Sequence, residues 1–232
     1  MWKQLIELFR KDNLFEQAYE EASNMLDTGA IMFDASVEAL RHKDTAEVEL
    51  DIYSADKEVN RSERDVRKKV MTHLVVSGGT NLASGLSLVS VVIDIERIGD
   101  YTKNIYDLAV HHPLRLNAGP IEEKLQKVES QVTADFKGMI DVFKNRDEEK
   151  ARVIMKNYKE GLSDACEEIS NSILSGDITG LDSSDATAVS LYARFLKRIA
   201  SHSRNIVICL IWMTVVSVNE DGILVFTWQS VK

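Results

Sequence analysis

Apolar residues recur along most of this chain at the three- and four-residue spacing of amphipathic helices. The pattern predicts six helices, at residues 14–42, 46–76, 82–111, 121–144, 148–174 and 186–209. The polar stretch Lys43-Asp44-Thr45 separates the first two, and either Asp44 or Thr45 is suited to cap the second helix. A glycine turn at 77–81 separates the second from the third. The periodicity therefore predicts an all-α fold.

The six helices fall into two similar groups of three, separated by Asn117-Ala118-Gly119-Pro120. Residues 197–206 align without gaps on residues 96–105, and Arg, Ile, Asn and Ile recur in register. An internal duplication is the simplest explanation of this repeat. The sequence thus predicts a first three-helix bundle at 14–113 and a second at 120–207, arranged in tandem.

Two terminal segments fall outside this pattern. Residues 1–13 form a short amphipathic lead, and we expect its apolar residues to pack on the bundle rather than contact a membrane: Trp2, Leu5, Ile6 and Phe9. Residues 208–232 are rich in Val, Ile, Thr and Trp, and Asn219-Glu220-Asp221-Gly222 lies between two β-prone runs. This pattern predicts a short β-hairpin tail, either an edge for a partner or a segment with no evolved structure.

Charge and cysteine content narrow the functional classes. The 37 acidic residues outnumber the 28 basic ones and give a net charge of −9, which argues against nucleic acid as the main partner. An excess of negative charge is suited to binding cations or basic protein surfaces. The distant cysteines Cys166 and Cys209 indicate two reduced thiols rather than a disulfide framework. With a charged N-terminus and no apolar run long enough to span a bilayer, the chain is expected to be cytoplasmic.

The third predicted helix carries the most informative polar residues. Glu96, Asp100 and Asn104 recur every four residues, so they form a strip along one helix face. If the second and third helices are antiparallel neighbours, Asp56 and Asn60 approach this strip. Such oxygen donors suit Mg²⁺, Ca²⁺, Mn²⁺ or iron rather than copper or structural zinc. The alternative is a solvated face whose acids pair with Arg and Lys.

The same helix resembles the signature helix of the PhoU family of phosphate-uptake regulators, through Glu96-Arg97-Ile98-Gly99-Asp100 followed by Asn104-Ile105. The second helix, at Asp56 and Asn60, resembles that family's other signature. The resemblance implies tandem three-helix bundles with acidic sites able to hold metal, and the ion stays open among iron, manganese, magnesium and zinc. It also implies two partners, the ATPase subunit of a phosphate ABC transporter and a phosphate-sensing histidine kinase. Membrane association would then be through partners only, and a homodimer stays open.

The second bundle carries a degraded copy of this acidic motif. Glu160 and Asp164 correspond to Asp56 and Asn60, but the residues expected to face them are Lys197 and Ser201. A lysine replaces a ligand with a cation, so we expect Lys197 to pair with Glu160. The sequence thus predicts one acidic metal site, in the first bundle: Asp56, Asn60, Glu96, Asp100 and Asn104.

Enzyme motifs are missing from the sequence. It has no G-x-S-x-G, no H-E-x-x-H and no phosphate-binding loop, and no histidine follows a glutamate by three residues as di-iron bundles require. We therefore expect a regulator without catalytic activity. Two alternatives stay open: an accessory module of a sodium–phosphate cotransporter, and a carboxylate helical bundle with a hydrolytic or metal-storage role.

Overall fold

The computed structural model describes residues 11–79, 82–145, 147–218 and 224–226. Within these residues the chain forms seven α-helices: α1 (Lys11–Arg41), α2 (Ile52–Val76), α3 (Leu82–His111), α4 (Glu122–Asn145), α5 (Glu148–Asn157), α6 (Ser163–Leu174) and α7 (Ser183–Val215). A 3₁₀ turn (Gly119–Ile121) precedes α4, and a π-helical turn (Tyr158–Leu162) joins α5 to α6. The predicted all-α tandem of three-helix bundles is confirmed: α1 to α3 form one bundle, and α4, the broken helix α5–α6 and α7 form the other.

The second helix begins later than predicted. It starts at Ile52 rather than Ala46, because Asp51 is its N-cap and accepts a hydrogen bond from the Ser54 backbone N–H at 3.0 Å. Asp44 and Thr45 had the same capping chemistry, but residues 43–51 run as an irregular connection. The apolar residues of that connection pack against the core instead of continuing the helix: Ala46, Val48 and Leu50.

The fifth predicted helix is interrupted rather than continuous over 148–174. The interruption lies at the π-helical turn, where Gly161 adopts φ +115° and Glu160 is also non-helical. Gly161 has no Cβ and can take this left-handed conformation at little cost. The turn divides the helix into α5 and α6, and it reorients the residues on either side of it.

The last helix also differs from the prediction, since it runs from Ser183 to Val215 instead of 186–209. Residues 208–215, assigned from sequence to the β-prone tail, therefore continue the helix. A short apolar run fits a buried helix as well as a strand, and here Cys209, Leu210 and Ile211 pack against the core. Among the described residues of the tail, the predicted hairpin consists of two strands, β1 (Val216–Val218) and β2 (Leu224–Phe226), which pair antiparallel.

Some predictions fall on parts of the chain outside the described residues. The apolar residues of the N-terminal lead, the hairpin turn and the end of the tail are among them: Trp2, Leu5, Ile6, Phe9, Asn219 to Gly222, and 227–232. The packing predicted for the lead and the role of the tail stay predictions.

The two bundles pack side by side, with α3 against α7 and α1 against α4. In the α3–α7 contact, Tyr101 lies against Phe195, with ring centroids 6.1 Å apart, and Asp94 Oδ1 lies 2.6 Å from His202 Nδ1. The two helices are therefore antiparallel. Phe195 stands 101 residues after Asp94, and His202 stands 101 after Tyr101. The duplicated helices thus meet across a pseudo-twofold axis, like the two sides of a symmetric dimer interface.

A buried charge network also joins the bundles near the linker. The Arg41 guanidinium at the end of α1 donates to Glu122, to Glu129 at 2.9 Å and to the Leu116 carbonyl. The hydroxyl of Tyr192 on α7 donates to Glu129 at 2.8 Å. Arg41 is only 8% exposed, and although burial lowers its pKa, the hydrogen bond to Glu122 and the charges of both glutamates outweigh that effect and raise it. The network fixes α1, the linker and α4 to one another.

Candidate functional site: an acidic face on the first bundle

Helices α2 and α3 bring the predicted acidic residues of the first bundle to one face. Lys103 on α3 donates from Nζ to Asp56 Oδ2 on α2 at 2.8 Å and to Asp100 Oδ1 at 3.3 Å. Asp56 is only 7% exposed. Asp56 and Asp100 therefore share one ammonium group. As expected for antiparallel neighbouring helices, the two carboxylates lie close together.

Glu96 lies in the same electrostatic environment. Its pKa is raised, first by burial and then by repulsion from Asp100. Arg97 lowers it, but this attraction is smaller than the effect of burial, and Glu63 and Asp56 add minor repulsion. Four carboxylates therefore act on one another across this face, which we call the acidic face: Asp56, Glu63, Glu96 and Asp100.

Glu63 is the member of the acidic face that the sequence prediction missed. It stands seven residues after Asp56, two helical turns along the same side of α2, and this spacing was the available signal. Glu63 also pairs with Arg67 at 2.8 Å, but its side chain is only 12% exposed and its charge acts on Glu96.

The two asparagines of the predicted site have different surroundings. The Asn60 amide donates to the backbone carbonyl of Asp56 at 2.9 Å, one turn back on its own helix. Asn104 lies half-buried one turn beyond Asp100 on α3. Asn60 is thus held on α2 beside the acidic face, and Asn104 continues the line of Glu96 and Asp100 along α3.

Lys103 is the basic residue that shapes this face. Burial lowers its pKa, but the hydrogen bond to Asp56 and the charges of Asp56 and Asp100 outweigh that effect and raise it. Arg97 adds a more exposed positive charge, 3.1 Å from Asp100 and 3.6 Å from Glu96. The donor chemistry suits a hard cation, yet within the described residues no three His, Cys, Asp or Glu side chains are grouped closely enough to hold a metal ion. As placed, a lysine ammonium lies where the sequence predicted a metal.

The equivalent face of the second bundle has the opposite character. Lys197, which stands 101 residues after Glu96, pairs with Glu167. The predicted pair of Lys197 with Glu160 is wrong, because Glu160 lies in the non-helical turn and its carboxylate is 3.7 Å from Lys156. Glu167 stands 104 residues after Glu63, so the same pair of positions is Glu–Glu in the first bundle and Glu–Lys in the second.

The position equivalent to Lys103 is Arg204, and it has no carboxylate partner among the described residues. Its guanidinium carbon lies 4.9 Å from the ring centroid of Tyr158, a cation–π contact beside the π-helical turn. The interruption that moves Glu160 away thus leaves an arginine stacked on an aromatic ring.

The cysteines have no visible chemical role in either face. Burial raises the pKa of the Cys166 thiol to about 12, and burial also raises that of the half-buried Cys209. Both are free thiols, as expected from the sequence. A thiol with so high a pKa is a poor nucleophile, so Cys166 serves packing.

Comparison with known proteins identifies the class that this architecture defines, a tandem pair of three-helix bundles with signature motifs on their second and third helices. The model of the PhoU domain matches twice, at residues 22–109 and 125–209. The chain therefore belongs to the PhoU family, a regulatory family associated with the phosphate transport system.

Two solved structures have a similar fold. PhoU from Pseudomonas aeruginosa is 20% identical, with a TM-score of 0.73 over 88% of this chain and 98% of that one. The phosphate transport system regulatory protein PhoU from Streptococcus pneumoniae is 16% identical, with a TM-score of 0.63 over 90% of this chain and 95% of that one. Curated protein sequences gave no match. Among the helices described, none combines the length and apolar character needed to span a bilayer.

Proposed function

We propose that this protein regulates phosphate uptake and phosphate-starvation signalling in the cytoplasm by binding other proteins. Its partners in this proposal are the ATPase subunit of a phosphate ABC transporter and a phosphate-sensing histidine kinase. The observation that carries the proposal is the double match to the PhoU domain, which spans both bundles.

The groove between α1 and α4 supports a protein-binding role. It lies where the two bundles meet and is lined by Phe33, Asp34, Val37, Glu38, His42, Glu129, Ser130, Thr133 and Ala134. Three of these residues are acidic. Asp34 is paired with Lys137 and Glu129 with Arg41, whereas Glu38 is exposed and has no ion-pair partner among the residues described. An unpaired acid in a groove between helices is complementary to a basic helix or loop of a partner.

Affinity capture tests the proposed partners. The tagged full chain is recovered from phosphate-replete and phosphate-starved cells, and bound proteins are identified by mass spectrometry. We expect transporter ATPase and kinase in amounts that differ between the two conditions. Glu38→Lys should reduce capture, whereas the control Glu20→Lys, an equal charge change about 27 Å away on α1, should not.

Two outcomes would contradict this proposal. Recovery of metabolic enzymes alone under both conditions would remove the regulatory role. Recovery of a sodium–phosphate cotransporter in place of the ABC transporter would support the alternative accessory function.

We further propose that a hard cation competes with Lys103 for the acidic face. The residues that would hold it are Asp56, Glu96 and Asp100, supported by Asn60, Asn104 and Glu63. What supports this is the grouping of Asp56 and Asp100 on one ammonium group, together with the raised pKa of Glu96, which burial raises most and the charge of Asp100 raises further. A bound cation would neutralise that repulsion.

Competition predicts that removal of the lysine increases metal binding. Lys103→Met should retain more iron, manganese, magnesium or zinc after dialysis than the wild type, measured by elemental analysis, and Asp56→Asn/Asp100→Asn should retain none above background. Lys137→Met is the control, because Lys137 pairs with Asp34 on a different face at 3.0 Å. Equal metal content in all four proteins would show that the acidic face is a salt-bridge network only.

A further inference from the structure

The turn between α2 and α3 exposes an unusual number of apolar side chains. Five of them are 45–77% exposed, and together we call them the apolar tip: Met71, Val75, Val76, Leu82 and Leu86. Met71 and Val75 are four residues apart on α2, and Leu82 and Leu86 are four apart on α3. Each pair therefore forms a ridge near its helix end.

Local backbone geometry brings the end of α2 and the start of α3 close together. Gly78 and Gly79 have φ values of +65° and +83°, which allow the chain to reverse immediately after α2. At Gly85 an added Cβ would lie 3.0 Å from a Leu74 methyl carbon, so the two helices are in close contact just behind the turn. The apolar side chains thus lie at the end of a closely packed helical hairpin.

The sequence around the tip separates apolar residues from charge. No Asp, Glu, Lys or Arg occurs from Met71 to Ile93. Directly before this stretch, residues 57–70 contain six Lys or Arg and three Asp or Glu, in a chain whose net charge is −9. Positive charge is therefore concentrated next to the charge-free tip.

Three of these cations form a stripe that leads to the tip. Arg61, Arg64 and Lys68 are spaced by three and four residues, and Met71 and Val75 continue the same spacing, so all five lie on one face of α2. The three cations are exposed and make no ion pair with other described residues, although the exposed Asp65 lies beside them. By contrast, Arg67 and Lys69 are paired, with Glu63 and Glu21.

We propose that the apolar tip and the stripe of Arg61, Arg64 and Lys68 bind the surface of an anionic lipid membrane. The order of chemistry along α2 matches that of a bilayer surface, with apolar side chains outermost and cations behind them. Along the helix, Met71 to Val76 span about 8 Å, which is the depth to which interfacial apolar residues enter the headgroup boundary. Lys68 is then about 10 Å behind Val75, at the level of lipid phosphates, and its long side chain can reach further.

A membrane surface fits these observations better than a protein groove does. The tip residues lie at the end of a helical hairpin and are arranged by depth along the helix axes rather than across a flat face. The attraction adds contributions from several cations near the surface and is screened by salt. The proposal does not depend on the protein partners proposed above.

Vesicle flotation with the full chain tests this inference. We expect the protein to float with vesicles containing about one-third phosphatidylglycerol at low salt and not with pure phosphatidylcholine vesicles. Lys68→Glu should weaken binding about tenfold or more, since two units of charge change near the surface. Val75→Asp should weaken it at least as much, because an apolar contact is replaced by a like-charged group.

Two matched controls separate the tip from general surface effects. Leu174→Asp changes an 81% exposed leucine in the second bundle, and Lys127→Glu reverses an exposed lysine on α4. Both should bind like the wild type, and circular dichroism should show all variants folded. The proposal is overturned if the wild-type protein does not float with anionic vesicles, or if the control substitutions weaken binding as much as Lys68→Glu and Val75→Asp do. It is also overturned if Val75→Asp/Lys68→Glu still floats but loses captured protein partners, which would make the tip a protein-binding surface.

Discussion

The outer faces of α3 and α7 show how far two copies of one helix have diverged. At four equivalent positions α3 carries Ile93, Glu96, Asp100 and Lys103, whereas α7 carries Arg194, Lys197, Ser201 and Arg204. The buried positions remain apolar in both copies, as with Ile98 and Ile199 or Ile105 and Ile206. The core positions are constrained by packing, whereas the partly exposed positions of the outer face are less constrained. The outer face, rather than the core, therefore distinguishes these two helices.

The broken helix adds a structural difference to this chemical one. In the first bundle α2 is continuous and places Asp56 and Glu63 on one face toward α3. In the second bundle the π-helical turn removes Glu160 from that face and leaves Glu167 to pair with Lys197. An acidic face thus needs both a continuous helix and an acidic partner helix, and only the first bundle has both.

The largest effect is expected at Arg41, which joins the two bundles. Arg41→Met leaves Glu122 and Glu129 without their buried partner, so we expect a loss of about 3–5 kcal/mol in the free energy of unfolding. Urea unfolding followed by circular dichroism measures this loss. Adding Glu122→Gln and Glu129→Gln should recover much of it. A loss below about 1 kcal/mol would mean that apolar packing of α3 on α7 joins the bundles without help from this network.

The next largest effect is expected at the π-helical turn between α5 and α6, which has no counterpart in α2 of the first bundle. Gly161→Ala places a Cβ at φ +115° and should cost about 1–3 kcal/mol of stability. Gly29→Ala in α1 is the control: it lies within a helix, and its Cβ would meet Phe136 at an ordinary 3.9 Å. It should stabilise by about 0.5–1 kcal/mol. Equal thermal unfolding midpoints for the two variants would contradict the conformation assigned to Gly161.

A charge exchange between the faces tests whether they are equivalent positions. Lys197→Glu places two acids together and should lower the urea midpoint, by a small amount because Glu167 is exposed. Glu96→Lys introduces a cation among Asp56, Glu63 and Asp100 and should stabilise by a few tenths of a kcal/mol. Both changes in unfolding free energy should shrink in high salt. If both substitutions destabilise equally at low salt, the two faces are not electrostatic counterparts.

The smallest effect concerns the pH dependence of the acidic face. Because the folded protein raises the pKa of Glu96 above its ordinary value of 4.5, ionisation of Glu96 costs stability as pH rises through its folded-state pKa. Glu96→Gln should therefore be more stable than the wild type near neutral pH, by at most about 1 kcal/mol, and equally stable below pH 4. Urea midpoints between pH 3.5 and 7.5 measure the difference. A Gln variant that is less stable at pH 7 would show that Glu96 is compensated by its neighbours.

Sequence alone determined much of the fold and part of the candidate site. Periodicity placed six helical regions, and the repeat of residues 96–105 at 197–206 established two related bundles. It also placed Asp56, Glu96 and Asp100 on the sides of α2 and α3 that face the same surface. These features were predictable because helix formation and the face of each residue depend on local spacing and on where apolar residues must be buried.

Tertiary structure decided what each charged residue contacts. Asp44 and Asp51 have equal capping chemistry, so the start of α2 could not be predicted from the sequence. Gly161 is one of several glycines within helical patterns, so the interruption could not be predicted either. Two ion-pair contacts depend on the register of one helix against another. Lys103 lies between Asp56 and Asp100, and Lys197 pairs with Glu167 rather than with Glu160. Local spacing determines which side of a helix a residue occupies. Packing between helices determines which residue lies across from it, and the distance between the two side chains sets the strength of their charge interaction.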